Sequence, residues 1–476
     1  MQKPSFAPHT TIQNRGHDMK TTPRAPGLGP RHLAVLALIA VLPFGSGLIM
    51  LDPDRAIILG LANLTIMGLP LAMLIAWPEL RAGLWPAGRT ALLVGIVLIH
   101  AGVLALTRAP HGGFSLTTLQ VWVGALIAGR GMQLAIRAHA QQDPQHGPKH
   151  DMQHDMQHDI QHGAKLARAA LLAILLAGPL YMTLLPLLDA LYGQTGRVSW
   201  TFTLPAFNHG RRMGHLLTAS AAMGIGLVAT GVLRQGRWFT GRIVRALIAT
   251  LAVIALALAM WTGARGAWLA LVAGTGLALL TGHFASASAR ARHPDTGSPA
   301  SGLRIEIPAL LALICVSLGV ALLLPAPGAL FGILDEVTSS TSTARAGDLN
   351  ALSSGRLDVW RRALDLIAAA PVQGYGWGQF ALIQQDFPYP QVHNLPLELL
   401  LGLGVPMGLL ALGIIAHLWI TAHRRAARLG PEGITALLLL DTMAVYAMVS
   451  GTYYYGVGVI LTGLVWGICL APRAPR

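Results

Sequence analysis

Five arginine and histidine positions in this chain carry groups suited to handling a phosphate and a proton. Arg211 and Arg212 stand as a pair, and Arg265 closes a short turn, Thr262–Arg265, between two apolar runs. Arg356 opens a charged amphipathic segment, and His393 precedes Asn394 at the lip of another long apolar run. Guanidinium groups stay charged in a partly dry pocket and grip phosphate with a two-pronged fork. An imidazole can take a proton near neutral pH. The set suits a reaction whose leaving group is a phosphate or pyrophosphate. Trp360 and Asn394 belong to the same stretch, Ser353–Gly408, the polar exception in an otherwise apolar chain.

The elements that must position these groups follow from composition. The chain has 476 residues, 53% hydrophobic and 11% charged, with mean hydropathy +0.55. A soluble chain of this length carries about a quarter charged residues. Apolar runs of about 18–25 residues recur along it, the length that crosses a bilayer as a helix. The expected fold is therefore all-α and polytopic. The net charge of +14 is read as loop arginine that sets orientation, not as a nucleic-acid footprint. Cys315 and Cys469 both lie inside apolar runs and read as packing residues.

In chain order, residues 1–31 read as a disordered cytoplasmic tail, polar and proline-rich. Residues 32–325 hold nine transmembrane helices, with a His-rich cytoplasmic loop at 131–165. Residues 326–395 form the one large loop on the far side, and 396–476 hold three more spans, beginning with a single run over 396–420. That makes about twelve in all. With the N-terminus inside, the outer basic residues are Arg55, Arg108, Arg197, Arg211, Arg212, Arg265, Arg345, Arg356, Arg361 and Arg362, which leaves 24 of the 34 Lys and Arg on the cytoplasmic side. The bias places both termini in the cytoplasm and the large loop on the outer side. It also puts the candidate arginines and His393 at one membrane face.

Within the large loop, Ser353 or Ser354 is positioned to cap a helix from Gly355 to Ala370 that Pro371 stops. Arg356, Trp360, Leu364 and Ile367 share one face of it, a pattern that suits the membrane surface. Arg361 and Arg362 read as a solvated face. Other polar features compete for attention. His150–His162 repeats every four residues and invites a metal, but a solvated linker explains it better. Asp52-Pro53-Asp54 reads as turn chemistry rather than a carboxylate pair. Asp441 falls inside a span, where a buried acid is a candidate for function, with no partner evident from sequence. For Arg265, snorkelling to headgroups is the plain structural alternative, since a cation at a helix start gains nothing from the dipole.

The motifs taken together resemble the O-antigen ligase / O-antigen polymerase superfamily. GRLDVWRRALDLIAAAPVQGYGWGQF (Gly355–Phe380) resembles its Arg-x-x-x-Trp segment and Pro-x-x-Gly-x-Gly turn, and HNLPLELLLGLG (His393–Gly404) its late His-Asn helix. ARGAWLALVAG (Ala264–Gly274) resembles an Arg-Gly-Ala-Trp helix opening, and FNHGRRMGHLL (Phe207–Leu217) resembles a further family segment less closely. Gly404 and Gly408 are four apart where the ligase pattern has glycines three apart. The resemblance implies a GT-C-like architecture and an inverting, metal-independent glycosyltransferase of the inner membrane that needs no cofactor. It implies an undecaprenyl-pyrophosphate-linked glycan as donor and lipid A-core as acceptor, in a setting of membrane lipids. A lipid-linked repeat, as in polymerases, or a protein hydroxyl, as in protein O-oligosaccharyltransferases, are the alternative acceptors. Carried over, Arg211 or Arg212 and Arg265 hold the pyrophosphate, and His393 deprotonates or orients the acceptor hydroxyl. Arg356, with Trp360 and Asn394, supports the donor or the loop. A lipid-glycan or metal transporter is the rival from another class, disfavoured because the spans carry few ionisable residues.

Overall fold

The computed structural model describes residues 28–49, 56–78, 80, 88–110, 112–140, 152–191, 210–232, 241–262, 264–292, 306–324, 355–383, 391–450 and 456–471. Regular structure among the described residues is helical throughout. The first nine helices are α1 (Pro30–Ile49), α2 (Ala56–Ala76), α3 (Arg89–Thr107), α4 (Gly112–Ala140), α5 (Met152–Leu191), α6 (Gly210–Ala229), α7 (Arg242–Trp261), α8 (Arg265–Arg292) and α9 (Ile307–Leu323). Then come α10 (Arg356–Ala369), the single turn α11 (Phe380–Ile383), α12 (Leu395–Leu403), α13 (Val405–Ala426), α14 (Pro431–Val449) and α15 (Gly456–Leu470). Among the described residues, seven helices are long and apolar enough to cross a membrane, and five shorter apolar helices accompany them.

Small residues hold the bundle together. Helices in lipid gain little from apolar burial alone, so they associate by close packing of glycine and alanine faces. The most extensive pair is α4 with α15, followed by α8 with α14. On the first pair, a Cβ at Gly129 would sit 2.5 Å from the Gly463 carbonyl oxygen, a distance that only bare backbones tolerate. The buried core runs through α6, α7, α14 and α15, where Ala219, Ala222, Ala252, Ala255, Leu437 and Ile460 are all closed to solvent.

Polar bonds fix the two ends. At one end Arg137 of α4 donates through Nε to the Ala471 carbonyl at 2.8 Å, Gln133 donates to Leu470 O at 2.8 Å, and Arg168 of α5 pairs with Glu432 of α14. Arg424 and Arg425 lie in the last turn of α13 at the same end. Between the ends, Asp441 does have partners: its Oδ1 accepts from Trp419 Nε1 and from His423 Nε2, both at 2.8 Å, and His423 Nδ1 lies 2.9 Å from Thr281 Oγ1. This fully buried acid ties α14 to α13 and α8.

Several sequence expectations need correction. The run over 396–420 is two helices, α12 and α13, divided at Gly404 (φ 77°, ψ 161°). The helix after Ser354 has Gly355, in a left-handed conformation with φ 76°, at its N-cap position and no side-chain cap. Its buried face is Val359, Ala363, Leu366 and Ile367, while Leu364 is 52% exposed, so the expected face is rotated. The cause is tertiary: α10 packs on α12 and shares a cluster with Phe380, Val392 and Leu401. The loop at 131–165 is shorter than expected, because α4 runs on to Ala140 and α5 begins at Met152. The side chains of the histidine repeat, Asp52 and Asp54, and the tail before residue 28 lie outside the described residues.

The break at Gly404 has a specific filler. The segment 371–379 runs beside it as a tape. Tyr375 N donates to Leu401 O at 3.0 Å and Gly376 N to Gly402 O at 2.9 Å, while Val405 N donates to Pro371 O at 2.6 Å. The orphaned carbonyls of α12 and the first amide of α13 are thus satisfied within the protein. The far side of the tape is clamped by the α3–α4 corner. Arg108 Nη1 donates to Gln373 Oε1 at 2.7 Å, Ser115 Oγ to Trp377 O at 2.7 Å, and Gln379 Nε2 to Ser115 Oγ at 2.8 Å. A side chain at Gly404 would collide with the Val372 carbonyl, in a backbone region reserved almost wholly for glycine. We expect Gly404→Ala to cost at least about 1–3 kcal/mol from backbone strain alone. Gly413→Ala, where a Cβ meets open space, should change little. Thermal denaturation of the purified variants in detergent compares the two.

Candidate active site

His393 is held by its neighbours on both sides. Trp360 of α10 donates its indole Nε1–H to the Val392 carbonyl at 3.1 Å. Asn394 caps α12, its Oδ1 accepting from Leu397 N at 3.1 Å, and its Nδ2 donates to Met448 O of α14 at 3.2 Å. Pro396, in the first turn of α12, suits this start, because its missing N–H is one the helix leaves unpaired anyway. Between these anchors His393 adopts φ 56°, the one positive-φ non-glycine position among the described residues. A left-handed histidine costs free energy and persists where the surroundings over-determine it, a pattern that gathers at functional sites.

The ring sits half-buried in the loop ahead of α12. Burial first, and then the nearby Arg356 guanidinium, lower its pKa from the ordinary value to about 4. The imidazole is therefore neutral at physiological pH. Its Nδ1 is buried without a hydrogen-bond partner among the described residues. A neutral ring with a spare nitrogen can accept a proton or orient a hydroxyl.

Arg265 reaches the same end of the bundle by a different route. It begins α8 immediately after the buried Ala264. The next residue, Gly266, lies against α14, where a Cβ would meet the Tyr446 ring at 3.2 Å and Val449 at 3.3 Å. Tyr446 also stacks on His215 of α6, with ring centroids 4.7 Å apart. Met448, two residues on, accepts the bond from Asn394. A chain of direct contacts therefore runs from α6 through Tyr446 to the start of α8, and along the end of α14 to His393. Arg211 and Arg212 fall in the first turn of α6, three or four residues before His215; their side chains lie outside the described residues.

The structure thus brings the α6 start, Arg265, Arg356, Trp360, His393 and Asn394 to one end of the bundle. Asn394 and Trp360 spend their polar groups on positioning the loop backbone. Arg361, by contrast, pairs with Asp358 at 3.2 Å on an exposed face of α10. Tyr446 and His215 are the residues that sequence reasoning passed over. His215 stood within the FNHGRRMGHLL segment, but nothing marked its aromatic partner on α14.

The depressed pKa of His393 has a stability consequence. The unfolded chain takes up a proton near the ordinary histidine pKa of 6.5, whereas the folded site resists it until about 4. Between these values the unfolded state holds more protons, so stability rises with pH and is lost as pH falls from about 6.5 toward 4. His393→Gln should flatten this part of the stability–pH curve measured by thermal unfolding. Asn394→Ala should lower stability by about 1 kcal/mol at any pH in that window through loss of the cap.

No curated protein matches the chain. A family model does: residues 250–412, from α7 to the first turns of α13, match the one described as O-antigen ligase. That span, which is similar to the O-antigen ligase model, contains Arg265, Arg356, Trp360, His393 and Asn394.

Proposed function

We propose that the protein is an inner-membrane glycosyltransferase with about twelve spans and both termini in the cytoplasm. It moves a glycan from undecaprenyl pyrophosphate to an acceptor hydroxyl at the periplasmic face, and O-antigen ligation to lipid A-core is the favoured reaction. The observation that carries this reading is the strained His393, placed beside Arg356 and at the same bundle end as Arg265, inside the segment that matches the ligase family. The gathering of Arg137, Arg168, Arg424 and Arg425 at the opposite end supports the orientation.

The chemistry is one displacement. The acceptor oxygen bonds to the anomeric carbon while the bond from that carbon to the pyrophosphate oxygen breaks, which inverts the configuration. Arg211, Arg212 and Arg265 neutralise the charge that builds on the departing pyrophosphate. His393 accepts the hydrogen bond from the attacking hydroxyl and receives its proton. A ring with a pKa of about 4 is a weak base on its own. Binding of the anionic donor offsets the Arg356 charge and raises that pKa, so the base strengthens when its substrate is in place. Metal is not required in this scheme, because the arginines supply the positive charge.

Arg265→Ala and His393→Ala should each abolish glycan transfer in a strain lacking the native gene, with protein level unchanged. Gels of lipopolysaccharide read the outcome. Loss of the ladder with lipid-linked polymer accumulating identifies a ligase, and a single-repeat cap identifies a polymerase. An intact ladder with a lost glycoprotein identifies a protein oligosaccharyltransferase. Full activity in both variants would sink the proposal. Arg356→Gln tests the electrostatics: removing the cation should move the acid limb of kcat/KM to higher pH, whereas an unmoved limb would detach Arg356 from His393.

A further inference from the structure

An apolar cavity of about 160 Å³ lies between α3, α4, α13 and α15. Val94, Leu126, Leu418 and Val459 line it, and its polar groups include Arg130 and Gln133 of α4 beside Thr90 and Thr462. Arg130 is fifteen residues along α4 from Ser115, the residue that clamps the tape. At 1.5 Å per residue this is about 22 Å, most of a bilayer core. The Arg130 end of the cavity therefore lies toward the opposite leaflet from the candidate active site, while Trp122 at its other end packs on Trp377 of the tape.

Arg130 is an unusual occupant of a membrane helix. Its Nη1 donates to Gln133 Oε1 at 2.5 Å. Its Nε is buried without a partner, and no carboxylate pairs with it among the described residues. Gln133 accepts one bond from Arg130 and gives its own amide to the Leu470 carbonyl, but it is uncharged and so is no counter-ion. An intramembrane cation left in this state calls for an anionic partner. The cavity wall on α3 adjoins the lipid-facing side chains Leu92 and Leu93, exposed by 66% and 36%.

We propose that this cavity binds one anionic phospholipid of the leaflet opposite the active site. An acyl chain fills the apolar groove between α3 and α13, and the phosphate takes the free edge of the Arg130 guanidinium. The pairing supplies the charge complement that the protein lacks there, and an arginine fork matches phosphate geometry. A lipid-linked donor with its pyrophosphate at the His393 end would place its charge across the membrane from Arg130.

Native mass spectrometry of the full-length protein in detergent, with phosphatidylglycerol or chain-matched phosphatidylcholine added, tests the assignment. The wild type should retain phosphatidylglycerol in preference to phosphatidylcholine. Arg130→Gln should weaken phosphatidylglycerol binding roughly tenfold or more, the effect of losing a charge-assisted hydrogen bond. Ala91→Phe, which fills the groove and leaves the charge in place, should also release the lipid, and it decides the question if Arg130→Gln fails to fold. Equal retention of the two lipids by the wild type would overturn the proposal, as would unchanged phosphatidylglycerol binding in the folded variants.

Discussion

The structure depends on one backbone seam. Where α12 ends at Gly404 and α13 begins, helical hydrogen bonding stops in the middle of an apolar run. Exposed carbonyls and amides at that depth would be costly, because lipid offers no hydrogen bonds in return. The segment 371–379 lies in the gap and takes these groups, from Pro371 against Val405 to Gly376 against Gly402. His100 adds a further bond, its Nε2 lying 3.0 Å from Leu403 O. A chain that broke the helix without this tape would have no folded state in a membrane. The glycines of GYGWGQF, which look like a loop signature, all adopt positive φ, and at Gly374 a Cβ would sit 2.5 Å from Gly404 N, so backbone there touches backbone.

From that seam the site follows. Docking the tape fixes α12 in place, and α12 carries Asn394 at its start. Docking α10 against α12 brings Trp360 to the Val392 carbonyl. His393 is caught between the two and forced into the left-handed region. The position of a proposed base is thus set by its neighbours: apolar packing of α10 on α12, backbone pairing of the tape, and the side-chain bonds of Trp360 and Asn394. This explains how a histidine in a loop can be held tightly enough to serve chemistry: its flanking residues are tied to α10, α12 and α14 at once.

What could be read from sequence was what depends on local pattern. The apolar runs, the charged segment ended by Pro371 and the His-Asn helix start are all legible because each rests on neighbours within a few residues. The break at Gly404 was not, since Val405–Ala426 continues the hydrophobicity of Leu395–Leu403 and a lone glycine with a following proline is compatible with a kink. The rotated face of α10 was missed for a related reason. Its burial is decided by Phe380, Val392 and Leu401, residues that periodicity within the helix cannot see. Asp441 stood out as a buried acid, but its partners Trp419 and His423 lie on another helix. In each case the residue type was visible and the long-range contact was not.

The depressed pKa of His393 bears on why the strain is kept. A solvent-exposed histidine at the same position would be partly protonated near pH 6.5, and a protonated ring can neither accept the acceptor's proton nor orient its hydroxyl through that nitrogen. Burial solves this and creates a second difficulty, because a ring with a pKa of about 4 has little appetite for a proton. Arg356 is the element that makes the two demands compatible. Its charge adds to burial in holding the ring neutral, and in the proposed mechanism an incoming anionic donor offsets that charge when the base is needed. In the proposed mechanism this arginine, acting on top of the larger effect of burial, links the base strength of His393 to donor occupancy.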